Sequence, residues 1–322
     1  ERRTTNTNNY SSDSVFLIEF FSRVCFIDGG VGMSSPVTVA PAKELSESQW
    51  KALVNLLGDD DPAIYRTVRE KILSVGEGAG PWLRPHRLSD DPLLRRRARE
   101  ILQHFDRQEA DTLFLAFCLK HGEEFDLEEG LWLLGLTQYP DINIEAYRAL
   151  LDNFAAELRE HVDFHEDHKE ILSTINNYLF DELGFTGDSE NYYDPQNSYL
   201  NRVIDRRKGN PINLSVLYLL LARRLQLPMA GIGLPGHFVC RYQSTSDEIY
   251  VDPFHAGKFL TKADCIQYLV SGSHGLQDEF LSPVSARRIL MRICSNLHQI
   301  YSQMELSEET TRLQRYLVAL AR

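Results

Sequence analysis

The stretch Tyr192–Tyr242 reads YYDPQNSYLNRVIDRRKGNPINLSVLYLLLARRLQLPMAGIGLPGHFVCRY, and Tyr250–Phe254 follows it as YVDPF. From Ile212 to Leu225 the segment is apolar nearly all round (Leu214, Val216, Leu217, Leu219, Leu220, Leu221), so it predicts a helix at the centre of a domain and not on its surface. Met229–Leu234, His237–Tyr242 and Glu248–Asp252 follow as extended segments, the last two separated by polar turn residues that read as a hairpin. With Gln243–Ser246 as a four-residue loop, Tyr242 pairs with Asp247 and His237 falls opposite Asp252. Opposed Cβ atoms lie about 4.5–5.5 Å apart, within reach of an imidazole–carboxylate hydrogen bond. A central helix followed by an antiparallel sheet is an α+β arrangement.

Upstream, the chain reads as helical. DDPAIYRTVRE (Asp60–Glu70) recurs as DDPLLRRRARE (Asp90–Glu100), each copy placing an acidic cap before a proline. Apolar residues then fall at helical spacing, Ile64, Val68 and Ile72 in one copy and Leu94, Ala98, Ile101 and Leu102 in the other, the pattern of HEAT-like helix pairs over residues 46–122. Leu113–Leu119 and Leu127–Leu136 are continuous apolar segments. Ile144, Tyr147, Leu150, Leu151, Phe154 and Leu158 define an amphipathic helix, and Ile171, Ile175, Tyr178, Leu179 and Leu183 the next, before a turn-rich Gly184–Asn197. Ser285–Met304 and Ser307–Ala321 read as a TPR-like helix pair over 284–322, cut short of a further helix. Residues 1–45 are polar apart from Val15–Ile27 and are expected to be disordered, or an extension that is not native before Met33.

LGLTQYPDINIEAYRALLDNFA (134–155), LFDELGFTG (179–187), the Tyr192–Tyr242 stretch with YVDPF, and RILMRICSNLHQIY (288–301) together resemble the SirB-type branch of the transglutaminase-like superfamily, in the right order. The resemblance implies a papain-like core over 123–283. In active members of the superfamily a cysteine opens the central helix, a histidine lies on the next strand and an aspartate on its neighbour. His237 and Asp252 match the last two positions. A helix N-terminus lowers a thiol's pKa, an imidazole shares the proton, and a carboxylate fixes the tautomer. The cysteine position, however, falls on Pro211 or Ile212, so the resemblance implies a site without its nucleophile.

Other residues offer no clear replacement. Ser215 has no visible activating base, strand alternation places Cys240 with Phe238 and Tyr242 on the face away from His237, and Cys265 opens a short helix with no nameable partner. His237 with Asp252 is open to two readings, a hydrogen-bonded pair kept for packing or a pair that polarises water or binds a ligand. His161, His165 and His168 fall at i, i+4 and i+7 and would share one face of a helix, a metal-binding spacing, but the segment also reads as a charged, solvated linker.

The 322 residues carry a net charge of −12, which argues against general nucleic-acid binding; the runs Arg95–Arg97 and Arg206–Lys208 read as solvated helix faces. Five scattered cysteines form neither a disulfide framework nor a zinc spacing, which places the chain in the reducing cytoplasm. Val15–Ile27 is interrupted by Glu19 and Arg23 and falls short of the roughly 20 residues of a membrane span. No cofactor motif is present. The reading is a protein- or peptide-binding scaffold without catalysis; the alternative is a hydrolase or amide-processing enzyme that uses His237 and Asp252 with water or a recruited thiol.

Overall fold

The computed structural model describes residues 45–271 and 278–322, so the expected disorder of the first residues lies outside the described part. The described chain is mostly helical with a small antiparallel sheet. It divides into two compact units, one of residues 45–114 with 136–142 and one of 115–135 with 143–322.

In the first unit, α1 (Glu47–Leu57) opens with a reciprocal capping box between Ser46 and Gln49, and α2 (Pro62–Val75) opens on Asp61, whose carboxylate accepts the Ala63 N–H. A one-turn α3 (Gly80–Leu83) leads to α4 (Pro92–Cys118), whose cap Asp91 accepts from Leu93 N–H. Both acidic–proline starts therefore cap helices. The second helix does not stop where the repeat stops: no breaker intervenes before Cys118, and the apolar segment beginning at Leu113 becomes its last turns. Trp50, Leu57, Ile72, Leu83, Ala98 and Ile101 form the core, with Trp50 stacked on Trp82. Arg97 is not solvated. It is buried, donates to the carbonyls of Leu57 and Asp59, and lies over the Tyr65 ring. Carbonyls at the end of α1 lack helical partners, and a guanidinium satisfies them from inside.

The second unit carries α5 (Leu127–Gln138), α6 (Ile144–His161) and α7 (His168–Asn176), the last running into a π-helical turn over Asn177–Glu182. The turn-rich segment after it contains β1 (Thr186–Gly187), which pairs in parallel with β2 (Lys208–Gly209) across α8 (Leu200–Arg206). Arg206 and Arg207 are also engaged: Arg206 pairs with Asp188 and Asp194, and Arg207 donates to the Leu183 carbonyl and covers Phe185.

Then comes the central helix α9 (Pro211–Arg224), buried on nearly every side, followed by β3 (Met229–Ile232), β4 (Val239–Gln243), β5 (Glu248–Asp252) and β6 (Lys258–Leu260). The four strands form one antiparallel sheet in chain order. α10 (Lys262–Ser271), α11 (Ala286–Gln303) and α12 (Ser307–Leu320) complete the unit. At the end of α9, Arg224 and Arg223 meet Glu128, buried in α5, and Arg224 also reaches Asp152 of α6. Two cations at a helix C-terminus complement its dipole and tie three helices together.

Candidate functional site

The hairpin register differs from the one expected. Gln243 pairs with Glu248 and Cys240 with Val251, so the loop is Ser244–Asp247. Ser244 sets it: its hydroxyl accepts the N–H groups of Ser246 and Asp247, a local turn that moves the loop one residue along. Continued, that register puts Val239, not His237, across from Asp252. His237 lies before the strand, after a turn at Pro235–Gly236 where Gly236 takes φ +71°. The two side chains meet nonetheless, with His237 Nε2 2.7 Å from Asp252 Oδ2. Arg292 of α11 holds the loop in place by donating to the carbonyls of Leu234 and His237.

The pair has a third member that the hairpin pattern does not bring out. His255 Nδ1 lies 2.8 Å from the same Asp252 Oδ2. Asp252 caps a one-turn 3-10 helix, Pro253–His255, and its Oδ1 accepts the Phe254 N–H. Residues three apart eclipse in that geometry, so the spacing in DPFH carried the signal. A carboxylate can only accept, so both imidazoles donate to one oxygen. Burial alone would raise the Asp252 carboxyl, but the hydrogen bonds and charges of His237, then His255, outweigh it and hold the group below its ordinary value of 3.8. Exposure is graded across the trio: the side chain of Asp252 is 5% exposed, that of His237 11% and that of His255 60%. Phe254 and Tyr268 flank the His237 ring.

Pro211 and Ile212 take the first turn of α9 and are buried. Asn210 caps the helix by accepting from the Asn213 N–H, and its amide donates to Ser198. Ser215 is buried and donates to the Phe238 carbonyl. Cys240 is buried with its thiol on the Ser215 carbonyl. Burial pushes the thiols of Cys240 and Cys294 far up, Cys118 to about 12 and Cys265 to about 11. His161, His165 and His168 do not share a helix face: His161 ends α6, His165 sits in the intervening turn and His168 opens α7, bonded to Asp247. Val162 and Asp167 cap the two helices and break the periodicity. Among the described residues the group spaced to share a metal ion is a different one, His237, Asp252 and His255.

Residues 145–295 match the family described as the transglutaminase-like superfamily. Over those residues the chain is similar to a transglutaminase-like domain. It is 35% identical over 179 residues to a UPF0162 protein of Xylella fastidiosa strain Temecula1, a match covering 54% of this chain and 64% of that relative. A UPF0162 protein of Pseudomonas aeruginosa is 29% identical over 191 residues, 58% of this chain and 68% of the relative. F-box only protein 21 of Mus musculus is 36% identical over 140 residues, 41% of this chain but 22% of that protein. The chain thus spans under two-thirds of the Xylella relative and under a quarter of the mouse one. No solved structure matches. No helix among the described residues is long and apolar enough to cross a membrane.

Proposed function

We propose that this transglutaminase-like domain, of the SirB-type branch, is a non-catalytic module that binds a protein or peptide partner in the cytoplasm, with HEAT-like helices before it and a TPR-like pair at its end. The observation that carries this reading is the state of the nucleophiles. Acyl transfer by this architecture needs a thiolate at the start of the central helix, and that turn is Pro211–Ile212, buried. The described cysteines are all buried with raised thiols, and Ser215 is spent on a carbonyl. His237 and Asp252 are largely sealed, as suits a pair that fixes the loop. Met304, Leu306 and Val318 on or beside the terminal helix pair are exposed, which supports a partner surface there. The match to 22% of F-box only protein 21 also supports a module that serves within a longer chain.

The test is capture of partners on the intact chain and on a Met304→Glu/Val318→Glu variant. A partner retained by the first and lost by the second is expected; background alone on both sinks the reading. An amine-incorporation and amide-hydrolysis assay completes it, and turnover abolished by His237→Ala would show that the domain is an enzyme. One observation favours that second reading, a hydrolase using water: His255 connects the buried carboxylate to solvent.

A further inference from the structure

We propose that His237 Nε2, Asp252 Oδ2 and His255 Nδ1 form a binding site for one divalent late first-row metal ion, with Zn2+ as the reference ion. The three ligand atoms lie within 4.8 Å of one another. They come from two places, the loop before β4 and the end of β5 with the turn that follows it, and converge on a single point. A hydrogen-bonded pair kept for packing needs one imidazole on Asp252; here two share the same oxygen, at 2.7 and 2.8 Å, while the other oxygen is occupied by a backbone N–H. That division leaves Oδ2 as the ligand and makes the Phe254 N–H the outer-shell bond that orients it.

Tetrahedral Zn2+ with bonds of about 2.0–2.1 Å separates two ligand atoms by roughly 3.4 Å, so each imidazole has to move out by about 0.6 Å. His255 is free to do so because most of its side chain is in water. Both imidazoles bind as neutral rings; His237 moves its proton from Nε2 to Nδ1, and His255 moves its own from Nδ1 to Nε2. Arg292, fixed on the His237 carbonyl, works against any cation here. Affinity therefore comes from the imidazole nitrogens and not from net charge, which selects Zn2+ over Mg2+ or Ca2+. Three protein ligands leave a further position for water or for a partner's side chain.

This inference does not rest on the partner-binding reading, because its readout is metal binding alone. The full chain is stripped with EDTA, dialysed, and titrated with Zn2+ by calorimetry and with Co2+ by visible absorption. One equivalent of each, with the Co2+ displaced by Zn2+, is expected. His255→Ala, an exposed change whose fold is checked by circular dichroism, should weaken Zn2+ by at least the roughly 10–100-fold that loss of an outer-shell partner costs. Asp252→Asn should do the same. The His161→Ala/His165→Ala/His168→Ala variant should bind as the parent does. Failure to bind saturably below millimolar Zn2+, binding that survives His255→Ala, or binding lost only in the triple variant would each overturn the assignment.

Discussion

Replacing Asp252 with alanine removes three acceptor contacts from one place, and their unequal exposure sets what each is worth. The His237 hydrogen bond is to an ionised group and largely sealed, so it contributes about 1.5–3 kcal/mol. The Phe254 N–H loses its cap, at about 1 kcal/mol. His255 is mostly in water and its bond counts for nearly nothing after screening. The sum is about 2.5–4 kcal/mol, and most of it depends on the carboxylate being charged. The folded carboxyl lies below its ordinary 3.8, so its contribution is complete above that value and is lost as the pH falls through the folded pKa. Urea unfolding should therefore show the full difference at pH 7 and a shrinking one below about pH 4. Of the three tryptophans, Trp50 and Trp82 stack in the first unit, and Trp132 is buried in the second. In a Trp50→Phe/Trp82→Phe background, Trp132 emission reports the unit that holds the site. A variant within 0.5 kcal/mol of the parent, the ordinary scatter of surface changes, or a difference constant down to acid pH, would refute the reasoning.

Gly187→Ala should destabilise the same unit by about 1–3 kcal/mol, because a Cβ there meets the Phe254 carbonyl at 2.5 Å and backbone cannot swing aside as a flexible side chain can. The same unfolding assay measures it. Glu128→Gln should cost about 3 kcal/mol, since it leaves Arg224, 15% exposed, without its buried partner. Burial would raise the Glu128 carboxyl, but Arg224 and Arg223 hold it below its ordinary 4.5, so this loss too should fade below about that pH. In a Cys25→Ser background, none of the remaining thiols should react with Ellman's reagent at pH 8 until denaturant is added, since all four are buried; prompt labelling of one would identify an accessible thiol and revive the recruited-nucleophile reading.

What the sequence made legible was local. The all-apolar run from Ile212 marks a buried helix wherever it occurs, and Asp61–Pro62 and Asp91–Pro92 mark helix starts by chemistry confined to a few residues. The strand pair around Ser244 was legible as a hairpin but not to the residue, because one serine hydroxyl decides where its loop begins. Arg97, Arg206 and Arg207 look like solvated charge in sequence. Their partners are backbone carbonyls, aromatic rings and carboxylates that only the fold brings near, such as Leu57 for Arg97, forty residues away. β1 and β2 are two residues each, too short for any period to register.

His255 is the instructive omission, because it changes what the His237–Asp252 pair means. With His237 and Asp252 alone, the site is a hydrogen-bonded pair, and its presence needs no more than packing. A second imidazole on the same carboxylate oxygen, reaching solvent, adds nothing to packing that His237 does not already supply: its bond is exposed and is worth little to stability. His255→Ala should therefore leave unfolding almost unmoved while Asp252→Ala lowers stability by about 2.5–4 kcal/mol, as summed above from the buried bonds. If His255→Ala instead costs as much as Asp252→Ala, the imidazole is structural and the case for a ligand at Asp252 Oδ2 falls with it. If it costs nothing and still abolishes Zn2+ uptake, the residue serves binding and not the fold.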